Sequence, residues 1–313
     1  MRQFLSKNAL IVLLFAVCII LAMITPEFAQ SGNLTNLARR VSAVSVVAVG
    51  ETLVIITAGI DLSVGSVAAL AGVAGSRVIR DLGAPVPLGI LTGILIGLAC
   101  GAVNGLLTAK GRIPAFIVTL GMMLAARGGA LLLSGGSRIS GLPQSFRFLG
   151  GTQLWYVPFA VTLVIVAVFA VFLRSTRRGR EIYAVGGNLS GARLSGIPVD
   201  RVRISAFALC GMLTGAGGML LASRTGVGDP TMAEGWELDA IAACVVGGAS
   251  LMGGEGGAVG ALIGAVLIGM LINICQLNGM TDEWQRIVVG VLIVVLVFLD
   301  NVRKRRSGKL RDV

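Results

Sequence analysis

The sequence predicts an all-α fold: a polytopic transmembrane helical bundle of about ten spans, a single domain over residues 1–313, with both termini on the cytoplasmic side. Three observations predict it. Mean hydropathy is +0.91, with 55% hydrophobic and 13% charged residues, a balance foreign to soluble domains. Apolar runs approaching the length of a bilayer crossing recur from end to end. Basic residues gather between these runs so that an alternating path puts every strongly basic stretch on one side. Glycine is abundant at 45 residues and proline scarce at 8, which suits helices that pack closely inside a membrane.

The same composition excludes several function classes. The net charge of +11 does not point to nucleic acid, because the basic residues sit at the ends of apolar runs. Histidine is absent, which removes the usual proton shuttle and the commonest metal ligand. Cys18, Cys100, Cys210, Cys244 and Cys275 lie in or beside apolar stretches without metal spacing and read as small packing residues. No cofactor or metal site is expected.

Taken in order, Arg2 and Lys7 precede an apolar run, and the first span covers Asn8 to Ile24. Thr25-Pro26-Glu27-Phe28 is too bulky for a cleavage site, so this span is expected to stay uncleaved. The polar stretch Asn33 to Arg40 then falls outside, which sets Arg39 and Arg40 against the positive-inside rule; an interfacial helix would accommodate them. Val41 to Ala58 is the second span. A glycine-bracketed polar break, Thr57 to Ser66, precedes the third at Val67 to Ile79. Asp61 and Ser63 in that break have two readings, as caps of the following helix or as polar lining of a path or gate.

Pro87 to Leu107 is the fourth span, with Gly93, Gly97, Gly101 and Gly105 on one helix face, where another backbone can approach. Asn104 near its end is a helix-to-helix hydrogen bonder or a path residue, and Lys110 and Arg112 mark the cytoplasm. The fifth span, Ala115 to Leu133, holds Arg127 inside an apolar run. Such an arginine faces the bundle interior, pairs with a carbonyl or an acid such as Asp61, or snorkels outward. Ser134 to Gln153 reads as an external loop, and Trp155 anchors a sixth span running to Leu173.

Residues 174–205 are the longest charged interval between the apolar runs. Arg174, Arg177, Arg178, Arg180, Arg193, Arg201 and Arg203 stand there against only Glu181 and Asp200. Each arginine would cost about 2.5–3.5 kcal/mol near the bilayer centre, so this interval belongs in water on the cytoplasmic side. Leu189 to Ile197 reads as a short helix ended at Gly196 and followed by Pro198. A topology-setting loop and a docking element for a soluble partner both fit.

Beyond it, Ala206 to Ala222 goes outward with Gly211 and Gly215 at four-residue spacing, and Ser223 to Glu237 is a second external segment. Leu238 to Leu251 returns. The turn Gly253-Gly254-Glu255-Gly256-Gly257 lacks a P-loop lysine and is not a nucleotide site. Ala258 to Cys275 goes out with Gly256, Gly260 and Gly264 aligned, Asn278 to Glu283 turns outside, and Ile287 to Leu299 comes back. Residues 300–313 form a basic cytoplasmic tail with Arg303, Lys304, Arg305, Arg306, Lys309 and Arg311. Thr57–Gly72 and Val246–Gly264 share a pattern of apolar run, glycine-rich break and small-residue helix, which suggests two related halves.

Three tracts of this chain resemble ribose-type ABC sugar permeases: Gly179–Asn188 (GREIYAVGGN) with Ala192–Ile197 (ARLSGI), Ala58–Gly65 (AGIDLSVG) and Gly111–Gly121 (GRIPAFIVTLG). The likeness extends from about Thr25 to Leu299. It departs where the family usually carries an acid and an alanine and this chain has Ser190 and Gly191; the glycine weakens the local helix by roughly 1 kcal/mol. The resemblance implies a permease of a monosaccharide or small-polyol importer in a bacterial inner membrane. It implies two permease copies around one pathway, an ATPase with two nucleotide-binding halves below, and an extracytoplasmic sugar-binding protein above. It also makes residues 174–205 the coupling loop, with Gly187, Asn188, Ala192, Arg193, Gly196 and Ile197 at the ATPase contact. Asp61, Ser63, Asn104 and Arg127 are the candidates for a solute path or gate.

Other classes remain in view. A branched-chain amino acid permease shares the architecture, though the Gly-Ile-Asp-Leu-Ser-Val-Gly tract favours sugar. A self-sufficient transporter or channel would want more embedded acids or histidines than Asp61, Glu237 and Asp239. An enzyme would need a paired-carboxylate, metal or nucleophile set that the sequence does not offer.

Overall fold

The computed structural model describes residues 9–151 and 154–306. Arg2, Lys7, Gln153, Lys309 and Arg311, on which parts of the sequence reading rest, lie outside the described residues. The described chain is helix and connection, with one isolated bridge between Ile139 and Gly228. The helices are α1 (Ala9–Ile24), α2 (Ser31–Ile56), α3 (Val64–Asp81), α4 (Val86–Ala109), α5 (Ala115–Ser134), the short α6 (Gln144–Arg147) and α7 (Val157–Ser175). They continue with α8 (Arg177–Gly187), α9 (Leu189–Leu194), α10 (Val199–Thr225), α11 (Trp236–Val246), α12 (Ala258–Leu277) and α13 (Asp282–Arg306). Five of them, α4, α5, α7, α10 and α12, are long and apolar enough to cross a membrane.

Their starts and stops follow local chemistry. Prolines open α4 and α7 in the first turn, where the missing N–H costs nothing. Gly135 and Gly226, at φ +61° and +72°, end α5 and α10 in the left-handed conformation that glycine adopts freely.

α2 differs most from the sequence reading. It begins ten residues before the apolar run at Val41, so Arg39 and Arg40 ride on a 26-residue helix. The polar stretch holds as helix because Leu37 and Val41, one turn apart, bury against Phe28 and Met270. From Val46 to Ile56 the helix is sealed from solvent on every side. It is the central post of the bundle.

Close approaches between glycines set the directions of its neighbours. A Cβ added at Gly97 would fall on the Gly211 carbonyl oxygen, and one at Gly211 on that of Gly97. Gly93 meets Met219 and Gly105 meets Ile204, so α4 and α10 run antiparallel with backbone against backbone. The two four-residue glycine stripes are thus one seam. A second seam joins α11 to α12, where Gly247 meets Gly260 and Gly264 meets the Ala243 carbonyl. α2 packs antiparallel to α10 through Gly50 against Cys210, while Ala68 and Gly218 bring α3 parallel to α10.

Outer faces of α4, α5 and α7 present Leu88, Leu91 and Leu95, Phe116 and Leu124, and Val164, Val168 and Val171 to the surroundings. Exposed apolar stripes of this kind suit lipid.

The segment between α10 and α11 does not stay at the outer end, as a simple external loop would. Gly228 packs on Ser76 near the end of α3, yet Ala233 packs on Gly65 in the first turn of that helix. This irregular stretch therefore descends along α3, and α11 begins deep and is only 11 residues long.

Candidate functional site

Two places carry the chemistry, and the structure joins them. The first is the break between α2 and α3. Ser63 is the residue before α3, but its hydroxyl does not cap the helix. It donates instead to Asp61 Oδ1 at 2.6 Å, and the Ser63 N–H reaches the same oxygen at 2.9 Å. Asp61 is thus a turn-former ahead of the helix rather than its cap, which corrects the simpler of the two sequence readings.

Asn104 of α4 locks this turn. Its Nδ2 donates to Ser63 Oγ at 3.0 Å and leans on Asp61 Oδ2 at 3.4 Å. Three of the four path candidates, Asp61, Ser63 and Asn104, therefore form one buried cluster. The sequence reading missed its fourth member. Glu51 lies one turn before the end of α2, fully buried, and Oε1 accepts the Asp61 N–H at 3.1 Å. On the other oxygen, Oε2, it meets the thiol of Cys210 at 3.8 Å. A lone acid inside an apolar run was the available signal. Among the described residues no cation comes within ion-pair reach of Glu51 or Asp61, so neutral donors alone hold the two carboxyl groups.

Arg127 is elsewhere. Its Nη1 donates to the carbonyls of Pro230 and Met232, at 2.6 and 3.1 Å. It does not meet Asp61; of the options open to it, the carbonyl partner is the one found. The descending segment needs such donors, because irregular backbone away from water must be satisfied by protein.

The second place is the charged interval 174–205. Thr176 caps α8 by accepting the Gly179 N–H at 3.0 Å, and Glu181 is held between Arg177 and Arg178, each at 2.9 Å. Asn188 caps α9 through the Gly191 N–H at 2.8 Å. At the other end Gly196, φ +74°, donates to Arg193 O while Ile197 N–H donates to Ala192 O, both at 3.0 Å. This pair of bonds is the Schellman closure, and it makes α9 a short rigid knob.

The candidates divide by facing. Gly187, Asn188, Arg193 and Gly196 are exposed and Ile197 is half-buried, but Ala192 is buried in the core. The outward apolar residue is Leu194, 90% exposed on a charged surface, which the sequence reading did not single out.

The end of α8 is driven into the core. A Cβ at Gly186 would land on the Ile56 carbonyl oxygen, where α2 ends. That same oxygen accepts the Gly254 N–H at 2.9 Å, from the turn between α11 and α12. Tyr183 adds a bond from Oη to Gly256 O at 2.7 Å, and burial pushes its phenol above the ordinary range. The end of α8, the break after α2 and the glycine turn before α12 thus meet at one junction.

Beside the junction opens a cavity of about 1280 Å³, bounded by Thr57–Gly59, the α4–α5 connection and the start of α10. Lys110, Arg112, Arg193, Arg201 and Arg203 line it against Asp200. Ala58 and Arg112, two of the three non-glycine residues with positive φ among the described residues, stand on its wall.

A family model described as branched-chain amino acid transport system / permease component matches residues 33–297. The ribose import permease protein RbsC of Escherichia coli strain K12 is 41% identical over 306 residues, covering 96% of this chain and 94% of the relative. RbsC of Bacillus subtilis is 41% identical over 291 residues, at 92% and 90% coverage. The xylose transport system permease protein XylH of Escherichia coli strain K12 is 35% identical over 345 residues, at 90% and 87%. No solved structure matches the chain. The chain therefore belongs to the family of branched-chain amino acid transport system permease components, as a homologue of the ribose import permeases.

Proposed function

We propose that this chain is the membrane-spanning subunit of an ATP-driven importer for a monosaccharide or small polyol, crossing the bacterial inner membrane ten times with both ends in the cytoplasm. The observation that carries the reading is the junction at Ile56. A partner pressing on α8 and α9 from the cytoplasm presses, through Gly186 and Tyr183, on the ends of both broken elements at once. The basic cavity beside it then serves as the cytoplasmic vestibule, and the Glu51–Asp61–Ser63–Asn104 cluster fixes the start of α3 at its inner end.

The chain does not itself hydrolyse ATP; that falls to a separate ATPase with two nucleotide-binding halves seated on Leu194 and Arg193. An extracytoplasmic sugar-binding protein delivers the solute to the opposite face, and a second permease copy completes the pathway. The ribose, arabinose and xylose permeases among the relatives favour a sugar. The family model's own description keeps a branched-chain amino acid as the second reading. Radiolabelled uptake by the reconstituted complex decides between them: a pentose should accumulate with ATP and leucine should not. Leucine uptake without sugar uptake would reverse the assignment.

A further inference from the structure

Arg39 and Arg40 run against the charge bias of the rest of the chain, and the transport reading uses neither. The structure brings them a third cation. Arg224, in the last turn of α10, joins Arg39 and Arg40 of α2 around a cavity of about 320 Å³ that Asn273 and Gln276 of α12 close. All three arginines are partly buried, and Arg39 and Arg40 both act on Arg224 as like charges.

Several other cations at this end of the bundle have acid partners. Arg77 and Arg80 pair with Asp81, Arg138 with Asp229, and Arg286 reaches Glu234. Among the described residues no carboxylate lies within ion-pair distance of Arg39, Arg40 or Arg224; Asp239 and Asp282 act on Arg40 only from farther off. Arg40 donates to Gln276 Oε1 at 2.7 Å, but Arg39 Nε is buried with no acceptor among the described residues. Each guanidinium offers five N–H donors and no acceptor, so the pocket has donors to spare and, among the described residues, no carboxylate in contact with its positive charge.

We propose that this pocket is a receptor for a small oxyanion of the phosphate type. An ion with three or more acceptor oxygens would take charge-assisted bonds from guanidiniums on two helices at once, relieving their mutual repulsion. The occupant comes from water rather than from lipid. Leu37 is the one apolar residue of the described wall, so a phospholipid headgroup would find no track for its acyl chains. The proposal leans on the transport topology only for the side of entry, so a failed uptake assay leaves it standing.

The test is thermal unfolding of the full-length permease in phosphatidylcholine nanodiscs, with inorganic phosphate or with chloride at equal ionic strength. Phosphate should raise the melting temperature by roughly 2–4 °C over chloride. Arg224→Gln and, on the other helix, Arg39→Gln should abolish that difference. Without phosphate, Arg224→Gln should melt no lower than the parent, because it removes a like charge. Four results overturn the proposal: no difference between the anions, an equal response in both variants, a phosphate-free loss of stability in Arg224→Gln, or stabilisation by phosphatidylglycerol alone.

Discussion

The junction at Ile56 makes a prediction that two adjacent glycines can decide. In Gly186→Ala the new methyl falls on the Ile56 carbonyl oxygen and lies 2.7 Å from Gly254 N. Both neighbours are backbone, so no side-chain rotation relieves the clash. Displacing the 2.9 Å bond from Gly254 to Ile56 costs about 0.5–1.5 kcal/mol, and overpacking adds about 1–3 kcal/mol. Helix propensity returns about 1 kcal/mol, which leaves a net loss of roughly 0.5–3.5 kcal/mol at this joint. Gly187→Ala has nothing within 4 Å and keeps the propensity gain. Both variants should insert. In reconstituted complexes, ATP hydrolysis with sugar-loaded binding protein should lose most of its stimulation in Gly186→Ala and clearly less in Gly187→Ala, whose methyl adds one exposed carbon and no clash. Equal stimulation in the two, with equal melting temperatures, would refute the reasoning.

Gly97→Leu should cut the yield of folded protein severalfold, because the side chain enters a seam of facing backbones, whereas Gly121→Leu, with open space around it, should not; size-exclusion recovery measures both. Glu51→Gln keeps an acceptor for the Asp61 N–H and should melt like the parent, while Glu51→Leu orphans that donor and should lose about 1–3 kcal/mol in a denaturant titration. Leu194→Asp should leave stability unchanged and weaken ATPase binding at least tenfold in a pull-down or interferometry assay, since the side chain is exposed. Cysteines placed at Ser190 and Ser140, both exposed, should label only from opposite faces of sealed vesicles; labelling from the same face would break the ten-crossing path.

Much of this was legible in the sequence, for reasons that mark where the rest was not. Apolar runs state that a helix will be buried in something apolar, so α4, α5, α7 and α12 emerged within two residues. By contrast, α10 starts at Val199, seven residues earlier than its apolar run at Ala206 and inside the interval read as a loop. The spacing Gly93–Gly105 named a face, but periodicity carries no information about the partner, and only the fold revealed that the face meets Gly211 and Gly215. Gly196 after a short polar helix announced its turn because glycine alone relaxes at that φ. Ala192 looked like a contact residue from its tract, yet a small residue serves a core as readily as an interface. α2 was read too short because residues 31–40 have little hydropathy of their own; the burial of Leu37 against distant Met270 holds them helical. Gly186 gave no sign of its role, since what makes it indispensable is a carbonyl 130 positions earlier in the chain, the difference of 186 and 56.

The seam between α4 and α10 also limits how a transport cycle can run. Where side chains separate two helices, rotamer changes let one slide past the other. Here backbone packs on backbone from Gly97 to Gly105, with no flexible side chain between to yield. These two helices, with α3 bound to both through Gly75, Gly89 and Ala68, must act as a stator. Motion is left to elements geared through side chains, such as α7, whose Thr162 hydroxyl bonds the Ser42 carbonyl of α2. α8, backed onto the Ile56 carbonyl, would pass on a partner's push as a rigid strut. Disulfide cross-links across the α4–α10 seam should then be tolerated during turnover, and cross-links from α7 to α2 should stall it.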